Sequence, residues 1–265
     1  MGIINTTPDS FSDGGVHYDP TVAINAGVEM FRQGADIVDV GGESTRPGSS
    51  FTDETEELRR TTPVIRGIME RVPHGVISID TRRRRVAEAA IDAGAQIVND
   101  ISGFRDEPDM VDLVRETGAA AVIMHMAGMP KTMQQEIRYH DFPGDVHRFL
   151  GDRSKVLEDA GVDPERIIID PGVGFGKTFD HNLILINRLH VFKDLGKPVL
   201  LGASRKSFLG KILDQPVAGE RLMGSVAVAV AGLLKGADIL RVHDVEETVQ
   251  ACKVAEAIIR ERVSA

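Results

Sequence analysis

The sequence lacks the features of disulfide-linked and membrane-spanning proteins. Its 265 residues contain a single cysteine, Cys252, and no tryptophan. One cysteine excludes an internal disulfide framework, and we therefore expect a protein of the reducing cytoplasm. No run of about 18 apolar residues occurs, so we expect no membrane partner.

Positive charge is also in deficit. The chain has 31 lysines and arginines against 40 aspartates and glutamates, a formal net charge of -9. No basic face large enough to neutralise several phosphates is evident, which argues against nonspecific nucleic-acid binding. Any anionic ligand must therefore meet a local cluster of cations.

The main pattern in the sequence is a repeated alternation of short β-branched runs with amphipathic segments. Such alternation is typical of βα units that build a parallel sheet. The predicted strands are residues 2–5, 36–40, 76–80, 97–100, 121–125, 167–170, 199–202 and 239–242. The predicted helices are residues 20–33, 53–72, 84–93, 109–117, 141–160, 182–195, 220–235 and 245–261. Eight units in a chain of this length predict an α/β protein, a (β/α)₈ TIM barrel whose single domain spans residues 1–265.

Polar residues recur at the end of nearly every predicted strand, where active sites of such barrels lie. They are Asn5, Gly41 to Glu43, Asp80, Asn99, Asp100, His125, Asp170, Ser204 to Lys206, Arg241 and His243. Independent helix caps could explain single aspartates such as Asp80, Asp100 or Asp170. Caps do not explain an asparagine, a lysine, an arginine and a histidine in corresponding places, so the pattern predicts one shared site.

Two nucleotide-binding motifs can be excluded in the glycine-rich stretch that begins at Gly172. A P-loop requires glycine five residues before Gly176, where Pro171 stands,. The dinucleotide fingerprint also fails, because the glycines are spaced G-x-G-x-G. No paired His or Cys spacing indicates a transition-metal site, although Mg²⁺ needs only one protein ligand plus substrate phosphates.

Eight motifs together resemble the dihydropteroate synthase family. They are NTTPDSFSDGG at 5–15, DVGGESTRPG at 39–48, SIDT at 78–81, VNDI at 98–101, MHM at 124–126, DPG at 170–172 with GFGK at 174–177, SRK at 204–206 and RVH at 241–243. The resemblance implies a (β/α)₈ barrel that condenses 6-hydroxymethyl-7,8-dihydropterin pyrophosphate with p-aminobenzoate. The products would be 7,8-dihydropteroate, for folate synthesis, and pyrophosphate.

The resemblance also implies roles for individual residues. Pterin binding is expected of Asp80, Asn99, Asp170 and Lys206, and pyrophosphate binding of Asn5, Arg241 and His243. Asn5 would also coordinate Mg²⁺, and Asp80, Lys206 and Asn5 would be the catalytic residues. The p-aminobenzoate site and its lid loops would comprise Phe11, Asp13, Thr45, Arg46, Pro47, Phe175 and Ser207. Sulfonamides, as mimics of p-aminobenzoate, are expected inhibitors, and the family suggests a homodimer.

Two other functions remain possible at this stage. A methyltetrahydrofolate-dependent corrinoid methyltransferase also binds a pterin in a barrel, but it has no use for the STRP stretch at 44–47 or the SRK stretch at 204–206. A catalytically inert pterin-binding module is the non-enzyme alternative. No motif position implied to contact pyrophosphate or metal is missing, which favours the synthase.

Four consecutive arginines at residues 82–85 depart from the resemblance. Positive charge is unfavourable at the N-terminus of a helix, which is where the pattern places them. One interpretation is a solvated helix start, since arginine is seldom buried without a partner. The other is that the run projects positive potential over the barrel mouth and steers anionic substrates toward it.

Overall fold

Eight parallel strands close into a barrel in the computed structural model, which describes residues 1–6, 19–43, 52–128, 133–134 and 137–261. The strands are β1 (Gly2–Asn5), β2 (Ile37–Gly41), β3 (Val76–Asp80), β4 (Ile97–Asp100), β5 (Ala120–Met124), β6 (Ile167–Asp170), β7 (Leu200–Leu201) and β8 (Ile239–Leu240). The predicted TIM barrel of the α/β class is confirmed.

The barrel is closed by a single β-bridge on each side of its two shortest strands. Strands β1 to β6 form one sheet in sequence order, and β7 pairs with β8. A bridge between Ile169 and Val199 joins β6 to the β7 side, and a bridge between Gly2 and Val242 joins the β8 side to β1. The Ile3 amide donates to the Val242 carbonyl at 2.9 Å. All eight carboxyl ends therefore meet at one rim.

Helices surround the barrel, nine in the part of the chain that the structure describes. They are α1 (Pro20–Arg32), α2 (Glu54–Arg71), α3 (Arg84–Asp92), α4 (Met110–Thr117), α5 (Gly144–Asp159), α6 (Phe179–Asn187), α7 (Ser207–Leu213), α8 (Leu222–Leu234) and α9 (Val245–Arg260). Among these helices none is both long and apolar enough to cross a membrane.

The largest differences from the predicted helix boundaries concern two helices and have identifiable local reasons. The helix predicted from 141 begins at Gly144, because Pro143 disfavours a helical conformation at the residue before it,. The helix predicted for 182–195 begins earlier, at Phe179, where the Thr178 side chain accepts the His181 amide in a capping box,. It ends at Asn187, and a separate 3₁₀ helix, Leu189–Leu195, follows.

Alternation of side chains along the strands separates two cores. A small apolar cluster, formed by Ile97, Val122, Ile168 and Leu200, fills the interior of the barrel. The intervening strand residues belong to a larger cluster shared with the surrounding helices. Because successive side chains point to opposite faces, the positions two residues beyond the interior cluster, such as Asn99 and Asp170, also face the interior, at its carboxyl end.

Candidate active site

The register of the first four strands brings four predicted positions to the same level of the rim. Asn5 pairs with Gly41, Gly41 with Asp80, and Asp80 with Asn99. Gly41 lies against Asp80, since a Cβ on it would be in ordinary contact with the Asp80 Cβ at 3.5 Å. Asn5, Asp80 and Asn99 therefore lie side by side although the sequence separates them widely.

A buried network of charges, centred on Arg241, joins this level to the one beneath it. The Arg241 Nε donates to Asp39 Oδ2 at 2.6 Å, and a terminal guanidinium nitrogen donates to Asp80 Oδ2 at 2.7 Å. Asn99 Nδ2 donates to the same Asp39 oxygen at 3.2 Å. Asp39 is wholly buried. The network therefore links β2, β3, β4 and the segment after β8 at the floor of the mouth.

This network changes the ionisation of its members. Burial raises the pKa of Asp80 to about 7, and Asp39 and Asp100 add to the rise while Arg241 opposes it. Burial acts to lower the pKa of Arg241, but Asp39 and Asp80 outweigh it and hold that pKa above its ordinary value. Arg241 therefore stays cationic, whereas Asp80 changes charge near neutral pH.

Asp170 and Lys206 form the second charged group of the site. Burial lowers the pKa of Lys206 to about 8 against the opposing effect of Asp170. Burial also raises the pKa of Asp170, which Lys206 opposes. The Lys206 ammonium donates to the Val173 carbonyl and lies 4.7 Å from the centre of the Phe175 ring. The predicted residues Asp170, Lys206 and Phe175 are thus neighbours.

The loop after β6, which carries Phe175, is anchored by a buried lysine. Lys177 Nζ donates to the His125 carbonyl at 2.9 Å and lies 2.6 Å from His125 Nδ1. Burial places the pKa of Lys177 well below its ordinary value, and burial with Lys177 lowers the pKa of His125 to about 2. Gly172, at a φ of 71°, passes so close to His125 that a Cβ would overlap the His125 carbonyl. His125 is therefore a neutral side chain that supports this loop.

The β7 and β8 ends meet through Ser204 and His243. The Ser204 hydroxyl accepts the His243 amide at 3.2 Å and lies 3.1 Å from His243 Nδ1. Ser207 begins α7. His243 and Ser207 thus lie on adjoining segments of the rim.

Independent helix capping does not describe the strand-end aspartates, because the N-cap residues of the helices that follow are Arg83, Asp109 and Thr178, and Asp100 caps only the turn after β4. Its two carboxylate oxygens accept the amides of Ser102 and Phe104 at 2.7 and 2.9 Å. Asp170 also accepts a local amide, from Gly172 at 2.7 Å, but it shares its surroundings with Lys206 and Arg241. Capping is therefore an incomplete explanation for the strand-end aspartates.

The arginine run at 82–85 is paired rather than an open positive patch, and within it only Arg85, 72% exposed, keeps a largely solvated side chain. Each of its members meets a carboxylate: Arg82 meets Asp106 at 2.9 Å, Arg83 meets Glu57, Arg84 meets Asp109 at 3.7 Å and Arg85 meets Glu54 at 3.1 Å. Arg83 is buried and also donates to the Thr52 carbonyl at 2.6 Å. Local pairing cancels much of the potential that the steering interpretation requires.

Five predicted site residues, Phe11, Asp13, Thr45, Arg46 and Pro47, lie outside the described residues. Two functional candidates were missed by the reasoning from sequence, Asp39 and Lys177. Both belong to motifs that resemble the family. Asp39 lies two residues before Gly41 on the same strand and so faces the barrel interior, which is the signal that could have identified it.

A dedicated metal cage is not present in the described part of the chain. Within those residues no group of three or more His, Cys, Asp or Glu side chains is arranged to hold a metal ion. A Mg²⁺ ion that keeps its waters and substrate phosphates requires only one or two protein oxygens. The carboxamide of Asn5, half-buried at the end of β1, is chemically suited to that role.

Comparisons with known proteins agree with the geometry. The family model described as pterin binding enzyme matches residues 1–243. The chain is 47% identical over 260 residues to a dihydropteroate synthase of Synechocystis sp.. This alignment covers 98% of this chain and 90% of that protein.

Solved structures are similarly close. A Xanthomonas albilineans dihydropteroate synthase with 4-aminobenzoic acid matches at a TM-score of 0.91 and 41% identity, covering 97% of this chain and 92% of that one. A Yersinia pestis dihydropteroate synthase in complex with a sulfonamide drug matches at a TM-score of 0.91 and 40% identity, covering 98% and 93%.

Proposed function

This chain belongs to the family of pterin-binding enzymes and catalyses the dihydropteroate synthase reaction, and from that premise we propose how its residues divide the work. The reaction joins 6-hydroxymethyl-7,8-dihydropterin pyrophosphate to p-aminobenzoate. One observation carries the proposal for the residues: Arg241 donates to Asp80 at 2.7 Å and lies close enough to Asp170 and Lys206, at the same barrel mouth, to shift the pKa of each.

The pterin ring is bound by Asn99, Asp170 and Lys206, with Asp80 beside it. The ring amide and exocyclic amine of a pterin donate hydrogen bonds, which suits carboxylate and carboxamide oxygens. Its carbonyl accepts one, which suits the Lys206 ammonium. Analogues that leave one of these buried groups unpaired would bind poorly, because an unsatisfied buried polar group is costly.

The pyrophosphate is bound by Arg241, His243 and Asn5, the local cations and amide that an acidic protein needs for an anionic substrate. Mg²⁺, which we propose Asn5 helps to hold, would neutralise charge on the pyrophosphate when bound. The C–O bond of the pterin methylene breaks, and pyrophosphate leaves with the electron pair. The amine of p-aminobenzoate supplies the electrons of the new C–N bond and then loses a proton.

No protein nucleophile takes part in this scheme, and catalysis is electrostatic. Arg241 and His243 stabilise the charge that develops on the leaving group. The Asp80 carboxylate lies near the pterin, where it stabilises the cationic character of the methylene carbon. Phe175, Lys206 and Ser207 contribute to the p-aminobenzoate pocket together with Phe11, Asp13, Thr45, Arg46 and Pro47, the residues outside the described part.

The p-aminobenzoate pocket should also accept sulfonamides. The Xanthomonas relative holds 4-aminobenzoic acid and the Yersinia relative a sulfonamide drug. We propose that sulfonamides compete with p-aminobenzoate here, which an inhibition assay at varied p-aminobenzoate concentration tests directly. Inhibition that p-aminobenzoate cannot relieve would contradict a shared pocket.

A cytoplasmic homodimer is the proposed state of the protein. The α8 sequence, LMGSVAVAVAGLL, contains no charged residue, although Met223 and Leu234 on it are 76% and 57% exposed. An apolar outer face of this kind is typical of a protein interface. Sedimentation analysis should give twice the monomer mass, and Met223→Lys should shift it toward the monomer. A single cysteine is consistent with the cytoplasm,.

The decisive test of the function is pyrophosphate release. Mixing both substrates with Mg²⁺ and the protein should release pyrophosphate and form 7,8-dihydropteroate in equal amounts. A corrinoid methyltransferase or an inert pterin-binding module would release none. The Asn99→Ala variant connects the reaction to the pterin site, since it should lower pyrophosphate release by weakening pterin binding.

A further inference from the structure

Arg205 has an unusual backbone conformation next to a residue of the pterin site. Its φ is 58°, in the left-handed region that non-glycine residues rarely adopt,. Three contacts hold it there. Its amide donates to Ser225 Oγ at 2.9 Å, its carbonyl accepts from Arg221 Nη1 at 2.9 Å, and its guanidinium donates to both Asp244 oxygens.

These contacts tie the β7 loop to the segments that begin α8 and α9. Ser225 and Arg221 lie at the start of α8, and Asp244 immediately precedes α9. The Asp244 side chain is 11% exposed and that of Arg205 33%, so the ion pair is partly shielded from water. A shielded bidentate pair of this kind is stronger than an exposed one.

The neighbours of Arg205 belong to the two halves of the substrate site. Ser204, on one side, contacts His243 through the hydroxyl at 3.1 Å. Lys206, on the other side, donates to the Val173 carbonyl. Asp244 directly follows His243 in the chain. A change in the Arg205 backbone would therefore alter the distance between the Lys206 ammonium and the His243 ring.

We propose that Arg205 and Asp244 form a positioning pair that fixes Lys206 relative to His243. The pair touches no substrate in this scheme. The pair sets the distance between Lys206 and His243. That distance matches the separation between the pterin ring, bound by Lys206, and the pyrophosphate, bound by His243, in a single substrate molecule. The inference rests on the proposed function of those two residues.

The pair makes a distinctive prediction, because positioning matters only when both parts of the substrate are joined. Two linked groups bind more tightly than the separate groups only if the protein holds both sites at the right separation. Loss of the pair should therefore weaken binding of the pterin pyrophosphate about tenfold. The separate fragments, 6-hydroxymethyl-7,8-dihydropterin and Mg²⁺-pyrophosphate, should each bind as they do to the wild type.

Two variants test this by calorimetry with the whole substrate and with each fragment. Arg205→Gly removes the guanidinium but accepts a positive φ without strain, and Asp244→Asn removes the charge of the partner. Each should show the selective loss, and the double variant should lose no more than either single one, since both delete one interaction. Lys193→Met, which removes an exposed ion pair with Asp238, should bind all three ligands as the wild type does.

Two results would overturn the proposal. One is equal weakening of the fragments and the whole substrate, which indicates a general structural role. The other is wild-type affinity in Arg205→Gly. The binding measurements need no turnover, so they stand apart from the pyrophosphate-release test. A wild type that binds the fragments but releases no pyrophosphate would refute the proposed function alone.

Discussion

Replacement of Arg241 by methionine should destabilise the protein to an extent that depends on pH. Arg241 is the cation between two carboxylates, Asp39 at 2.6 Å and Asp80 at 2.7 Å. Methionine retains much of the volume of arginine but leaves two carboxylates of like charge facing each other. Breaking a buried pair by removing one partner costs about 3–5 kcal/mol. Because the Arg241 side chain is 20% exposed, we expect about 3 kcal/mol at pH 8.

The sign of the pH dependence follows from Asp80. Its folded pKa is about 7, above the ordinary value of 3.8. The stability that Asp80 contributes is therefore fully present below pH 3.8 and is lost as the pH rises through 7. Arg241 opposes the rise in the Asp80 pKa, so its removal raises that pKa further. In the variant the free energy of unfolding therefore continues to fall at pH values above 7. The difference in free energy of unfolding between wild type and variant should therefore be about half as large at pH 5 as at pH 8.

Denaturant unfolding at the two pH values measures this difference. Asp39→Asn is the informative companion, because it leaves Arg241 and Asp80 as a one-to-one pair and should cost less than Arg241→Met. Lys193→Met, which removes an exposed cation paired with Asp238, should cost no more than about 1 kcal/mol at either pH. Equal losses for Arg241→Met at pH 5 and pH 8, or a larger loss for Asp39→Asn, would refute the reasoning.

Three further outcomes can be measured. Lys206→Ala should lower kcat/KM by more than about tenfold, or about 1.4 kcal/mol. Because burial lowers the pKa of Lys206 to about 8, wild-type kcat/KM should fall above that pH, whereas Lys206→Arg should lose this basic limb without regaining full activity. A basic limb that persists in the arginine variant would assign it to another group. Burial lowers the pKa of Lys177, so the unfolded chain binds a proton there that the folded protein does not. The free energy of unfolding of the wild type should therefore increase relative to that of Lys177→Met as the pH rises toward 10.5. Denaturant unfolding at pH 6 and pH 9 tests this sign. Arg85→Gln should leave the salt dependence of kcat/KM unchanged, because Arg85 is already paired with Glu54; a weaker salt dependence would revive the steering interpretation.

The arrangement of the rim was largely predictable from sequence because it depends on periodicity. Parallel strands in a barrel end at one rim, so a polar residue at the end of each run must lie near the others. Asp80, Asn99, Asp170 and Lys206 were identified in this way. Their implied roles came from the resemblance and remain proposals.

Helix boundaries were less predictable because single residues override periodic patterns. The apolar spacing of residues 182–195 fits one helix, but the structure contains α6 and a separate 3₁₀ segment. The start of α6 is decided by the hydroxyl of Thr178, which satisfies the free amide of His181,. Such a contact has no periodic signature.

Sequence alone determined that this chain forms an α/β barrel with polar residues at one rim, since the periods of strands and helices and their alternation along the chain are local properties. Only the tertiary structure decided which charges are partners. Arg241 meets Asp39 across 202 positions of sequence, and Arg83 turns inward to Glu57. Ion pairing depends on distance and burial rather than on spacing along the chain. The same four arginines therefore suggest an open basic patch in the sequence and form ion pairs in the fold, three of them with partly buried side chains.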